Sequence, residues 1–174
     1  MGEISVPANE TLYKRIVSAE LPVRRVLLWN SHSDSQVTVI YKVKNDTDQP
    51  FAPGTVRSYR DGLILGSDAI ERTPTGSEGS VTVGTLPDVR VKRGETTEQI
   101  NPNNYYDTLH TVTFDITNFG DETIEIEVID FYPQESDTFE FRMEPTKESG
   151  NVLRWVFTLE PGQSIETSYT YITP

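Results

Sequence analysis

Apolar and polar residues alternate along most of this chain. In "LRWVFTL", Leu153, Trp155, Phe157 and Leu159 share one face, while Arg154 and Thr158 take the other. The same period of two runs through "TFEFRME" (Phe139, Phe141, Met143) and "TIEIEVI" (Ile124, Ile126, Val128). It recurs in "VTVIYKV" (Val37, Val39, Tyr41, Val43) and "HTVTFDI" (Val112, Phe114, Ile116). Successive side chains of an extended backbone point to opposite faces, so this spacing predicts strands buried on one side. No stretch of ten or more residues carries a convincing 3.6-residue period. The pattern predicts an all-β chain.

The punctuation between these runs agrees. Asn45-Asp46-Thr47-Asp48, Asp61-Gly62, Asn118-Phe119-Gly120-Asp121 and Glu160-Pro161-Gly162 each separate two strand-like segments. Short strands with one apolar face predict an antiparallel β-sandwich of the immunoglobulin-like kind. Residues 21–174 form that sandwich in this reading, with 1–20 as an N-terminal extension or added strand. "GETTEQINPNNYYD" (94–107) has no alternation and reads as a long loop or a hinge, placing an internal division near 94–106. "TVIYKVKNDTDQPF" and "TVTFDITNFGDETI" both run strand, Asn, acidic turn, strand, with Asn45 and Asn118 in matching places. One continuous sandwich is preferred over two tightly packed β halves.

Composition narrows the function classes. The 174 residues suffice for one ordinary domain, and 35% of them are hydrophobic. No apolar run approaches the ~18 residues of a membrane span, and the first residues lack the basic start and apolar stretch of a signal peptide. A net charge of −12 argues against nucleic acid, whose phosphates need Lys and Arg. It disfavours anionic membrane surfaces for the same reason. With no cysteine there is no disulfide, thiolate metal site or cysteine nucleophile. Asn9-Glu10-Thr11 and Asn45-Asp46-Thr47 fit the glycosylation acceptor pattern.

The glycine-rich stretch from Gly54 to Gly84 invites a test as a phosphate cradle. No lysine follows Gly76 or Gly79, and "SVTVG" reads as a strand where a phosphate loop needs a helix. The Asp61-Gly62 pair in "SYRDGLIL" is instead a two-residue hairpin signal, since a type I′ turn needs positive φ at both positions. His32 and His110 lack short metal-ligand spacing, and no nucleophile elbow is present. Glu125 and Glu127 are the tidiest carboxylate pair for glycoside hydrolysis, but they equally make a solvated strand face. Asp34 and the loop Asp46-Thr47-Asp48 are weak calcium candidates without an EF-hand pattern. Trp29, Tyr105 and Tyr106 are the candidate contact residues, as a stacking platform for a sugar or peptide or as loop anchors in the core. No cofactor, catalytic residue or metal ligand is assigned.

The chain resembles one known family. "LPVRRVLLW" (21–29) leads to "VKNDTDQP" (43–50), then to "PGTVRSYRDGLILGSDAIERTPTGSEGSVTVG" (53–84) and "DVRVKR" (88–93). "ITNFGDETIEIEV" (116–128) and "NVLRWVFTLEPGQSIETSYTY" (151–171) complete the order. These segments resemble the domain of unknown function that forms the C-terminal half of mucoidy-inhibitor-A-like proteins and occurs in archaeal and bacterial hypothetical proteins. The resemblance covers about residues 21–174 and carries no established activity or catalytic residues. It implies a β-rich domain of envelope or surface proteins that acts by binding or assembly. The expectation is a non-enzymatic interaction or structural module with a protein partner or self-assembly, outside the cell or in its envelope. A glycan- or ligand-binding domain is the alternative, and a carboxylate-based hydrolase the third class.

Overall fold

The computed structural model describes residues 8–9, 18–101 and 107–174. They form twelve strands in chain order: β1 Val23–Asn30, β2 Val37–Lys44, β3 Gly54–Arg60, β4 Leu63–Ile70, β5 Glu78–Leu86 and β6 Val89–Gln99. The second set is β7 Thr108–Asn118, β8 Ile124–Phe131, β9 Asp137–Phe141, β10 Thr146–Glu148, β11 Val152–Leu159 and β12 Ser164–Thr173. Among the described residues there is no helix, so none is long and apolar enough to cross a membrane.

A six-stranded sheet, ordered β10-β11-β8-β1-β2-β5, packs on a four-stranded sheet ordered β6-β7-β12-β9. Strands β3 and β4 form a separate two-stranded hairpin. The fold is an all-β sandwich. Every described strand pair is antiparallel except β1 and β8, which run parallel from Leu27 opposite Ile126 to Asn30 opposite Ile129. That pairing makes one sheet out of early and late parts of the chain.

The alternation in the sequence becomes the alternation in burial. Ile124, Ile126 and Val128 of β8 are buried while Glu125 is exposed. Leu153, Trp155, Phe157 and Leu159 of β11 point inward in the same way. Phe114 of β7 meets Trp29 and Trp155 edge-on across the sandwich, with ring centroids 5.6 and 5.3 Å apart. Such contacts between facing sheets are where apolar area leaves water and drives the packing.

Two expectations need correction. Residues 94–99 are not a loop or hinge: they continue β6, with Gly94 opposite Thr113 and Gln99 opposite Thr108. The segment lies at the edge of its sheet and is largely exposed, so its Thr, Glu and Gln side chains need no apolar alternation. The "TFEFRME" alternation also overruns its strand. β9 ends at Phe141, and the half-exposed Met143 offers its carbonyl to Trp155 Nε1 at 2.8 Å.

The matching asparagines make matching bonds. Asn45 donates to Gln49 O and Thr73 O and accepts from Thr47 N. Asn118 donates to Glu122 O and Leu159 O and accepts from Gly120 N. Their backbones are paired alike too: Gly76 N donates to Asn45 O and Gly162 N to Asn118 O. Gly76 and Gly162 sit at φ 78° and 75°, in the left-handed region that glycine enters without penalty. Each asparagine, buried at 0% and 1% exposure, closes the corner where one strand pair crosses to the next. A buried amide with every partner satisfied is a strong fixer of local geometry.

Candidate functional site

Trp29 does not offer a stacking face. It is 1% exposed, set edge-on to Phe114, and its Nε1 donates to Asp34 O at 2.9 Å. The platform reading fails for this residue because the whole ring is spent on the core. Tyr105 and Tyr106 lie outside the described residues. Asn45 is a corner amide sealed from solvent, so the folded chain cannot present it for glycosylation. Asp46 has Lys44 Nζ 3.1 Å away, a cation already beside the proposed calcium loop. Glu127 binds Arg154 Nη1 at 2.7 Å, and Arg154 Nε also binds Glu148. That arrangement is a surface ion network holding β10, β11 and β8 together.

The chain's two histidines, far apart in sequence, join one polar cluster at the end of the sandwich. Its centre is Asp130 of β8, fully buried. Ser31 Oγ, His32 Nε2 and the Phe131 backbone N–H approach Asp130 Oδ1 at 2.7, 2.9 and 2.9 Å. Tyr169 donates to Oδ2 at 2.8 Å, and Arg93 Nε lies 3.3 Å from both oxygens. His32 Nε2 also faces Phe131 O at 2.9 Å, so with two acceptors before it this nitrogen carries the hydrogen. Arg93 Nη1 then reaches Glu95, which takes His110 Nδ1 at 2.9 Å and the Tyr171 hydroxyl at 3.1 Å.

The electrostatics follow from this geometry. Burial pushes the Tyr169 phenol well above its ordinary value, and the neighbouring Asp130 charge pushes it further. Tyr171 rises to about 12, through burial first and the Glu95 carboxylate second. Burial would raise the Glu95 carboxyl, but hydrogen bonds from Arg93, His110 and Tyr171 outweigh it and leave the group below its usual value. Ser31 and His32 both bind Asp130, and no side-chain bond joins them, so the nucleophile–base contact of a hydrolytic triad is not formed among the described residues. The cluster ties together β6, β7, β8, β12 and the end of β1.

Sequence reasoning overlooked this cluster, although a signal was present. Asp130 is the next inward position after Ile124, Ile126 and Val128. Arg93 likewise continues the inward Val89–Val91 face of β6, with Glu95 two residues on where that face opens to solvent. A charged residue on a buried face requires a partner.

The exposed chemistry lies on the β3–β4 hairpin. Asp61 and Gly62 have φ 50° and 80°, as a type I′ turn demands. At the base, Asp68 Oδ2 accepts Thr82 N of β5 at 2.6 Å, and Gly66 passes so close that a Cβ there would meet Val83 O at 2.6 Å. Val56 and Ile70 pack against the core. Beyond Gly66 the register shifts between Ser58 and Tyr59, and apolar residues turn outward. Tyr59 is 57% exposed, Leu63 72%, Ile64 64% and Leu65 38%. Between this tip and the main sheet runs a groove of about 610 Å³, floored by Val39, Tyr41 and Val83 and flanked by Arg25 and Arg60.

Compared with known proteins, the chain matches no family model, no curated protein and no solved structure. The resemblance to the mucoidy-inhibitor-A-like domain therefore rests on the quoted sequence segments alone.

Proposed function

We propose that this chain is a non-enzymatic interaction module whose β3–β4 hairpin is the contact element. The observation that carries the reading is the cluster of Tyr59, Leu63, Ile64 and Leu65 held in solvent at one hairpin tip. Scattered exposed hydrophobics are ordinary, but a contiguous group usually marks a surface that another molecule covers. The hairpin is also built to hold its shape. Its turn is preorganised, and its base is pinned to β5 by Asp68 and by the close approach at Gly66. Preorganised contact elements lose less entropy on binding. In the envelope or surface assembly that the resemblance implies, such a hairpin docks the module on a protein partner.

A photocrosslinking amino acid placed at Tyr59 or Leu63 tests this in cells that make the protein. The expected result is discrete adducts from both positions and none from Phe119, an exposed aromatic on the β7–β8 turn. Equal labelling from all three, or from none, would refute the hairpin as the contact element.

A further inference from the structure

We infer that β6 is a self-association edge: two copies pair their β6 strands antiparallel about a two-fold axis through Gly94, joining their four-stranded sheets into one. This inference is independent of the hairpin reading and uses a different surface. The two main sheets end on four edge strands, β10, β5, β6 and β9. A bare strand edge invites pairing with another chain, and proteins shorten, bend or cover such edges. β10 has three residues, and β9 shifts register along β12. β4 closes on β5 at Gly66 and Val83, where Asp68 takes the Thr82 N–H. β6 has eleven residues in unbroken register with β7, and no strand lies on its other side among the described residues.

The backbone fixes which groups that edge offers. Asp88 O accepts Phe119 N at 2.7 Å and Ile100 N donates to Asp107 O at 3.2 Å, so the even-numbered residues between them bond to β7. The odd-numbered residues therefore turn their N–H and C=O groups outward. Val89 is buried, and the open edge runs from Val91 to Gln99. Charge then selects the partner and the register. The first half of the strand carries Arg90, Lys92 and Arg93, and the second half Glu95 and Glu98. A strand so divided complements a second copy of itself when the two run antiparallel. With Gly94 opposite Gly94, Arg90 faces the second copy's Glu98, and Arg93 faces its Glu95. The outward backbone groups then meet as well, Val91 with Thr97 and Arg93 with Glu95. Moving the axis by one residue sets Arg93 or Glu95 opposite itself, like charge on like. Inward charges such as these can guard an edge, but with the axis at Gly94 each lies opposite its counter-charge. Arg90 leaves the exposed Phe119 ring, 5.1 Å from its guanidinium, to make the new pair. The contact is isologous, so each pair occurs twice.

The test is sedimentation of the whole chain across a wide range of concentration, where a monomer–dimer equilibrium is expected. R90E and E98K each set like charges opposite one another and should raise the dimer dissociation constant at least fivefold. R90E/E98K exchanges the two charges and should restore it. T97P removes an outward N–H and no bond to β7, so it should keep the fold and lose the dimer. Unfolding curves check that each variant is folded. Disulfides read the register, since the chain has no cysteine of its own. K92C/T96C sets cysteines directly opposite each other at a spacing that suits a disulfide, and should give a covalent dimer on oxidation. K92C/E98C needs the axis at Glu95 and should not. A monomer at every concentration, or a dimer that persists unchanged in T97P or the single charge variants, overturns the inference. So does a double charge variant that fails to restore the dimer, or a covalent dimer from K92C/E98C in place of K92C/T96C. The crosslinks at Tyr59 and Leu63 are read separately, so a failed dimer leaves the hairpin reading standing, and failed crosslinks leave the dimer.

Discussion

At the scale of single residues, Asn45 and Asn118 carry more of the fold than any one core side chain suggests. Asn45 donates to two backbone carbonyls and Asn118 to three, each from a side chain buried at its corner. Removing the amide takes a donor from each of those carbonyls and the side-chain acceptor from the Thr47 and Gly120 N–H groups, and each hydrogen bond lost costs about 0.5–1.5 kcal/mol. Asn45→Ala and Asn118→Ala are each expected to destabilise the protein by ~2–4 kcal/mol, read as a lower urea midpoint. An Asp at either position is expected to be no better, because it cannot donate. A variant with an unchanged midpoint would mean that the corner is held by its backbone bonds alone. The glycines that looked like a phosphate cradle act at this scale too: Gly62 and Gly76 occupy positive φ, and Gly66 allows two backbones to touch.

At the scale of elements, the hairpin and the main sheet are separable. Asp68, the close approach at Gly66 and the packing of Val56 and Ile70 join them at the base, and the tip is exposed. Gly66→Ala is expected to lift β4 from β5, since its Cβ would press on a backbone carbonyl that cannot move aside. Amide exchange in β3 and β4 should speed up at least tenfold while β7 and β11 keep their protection. Uniform acceleration across the sheet would show instead that the hairpin is part of the cooperative core. The same scale explains what the sequence revealed. Strands with one buried face, such as β2, β8 and β11, were plain in the alternation. β6 was hidden from Gly94 onward because an edge strand exposed on both sides obeys no such rule. The hairpin was legible from Asp61-Gly62, but the use of its tip was not. Leu63-Ile64-Leu65 stands beside that turn as an apolar run, and nothing in its pattern marks that all three residues are exposed.

For the whole molecule, the Asp130 cluster is the polar joint between the sheets. Breaking a buried charge pair by removing one partner costs about 3–5 kcal/mol, and Asp130→Ala is expected to fall in that range. Its loss would leave Arg93 with Glu95 as its one remaining carboxylate partner. Alkaline pH tests the other end of the cluster. Tyr171 is raised in the folded state to about 12, so the fold favours its protonated form. That contribution is complete below the ordinary tyrosine range near 10 and is lost as pH rises toward about 12. Stability measured across this window should fall less steeply in Tyr171→Phe than in the unmodified chain. Parallel slopes would show that the phenol is not linked to folding.

The parallel pairing of β1 with β8 bears on how the protein is made. Ser31, at the end of β1, meets Asp130 after 99 further residues, and β1 takes its place beside β8 over the same span. On the ribosome, β2 emerges early and can pair with one side of β1, while its other side waits for the last third of the chain. Ribosome-bound chains halted before Ile124 should therefore recruit chaperones or stick to one another. Release should come only once β8 has cleared the exit tunnel.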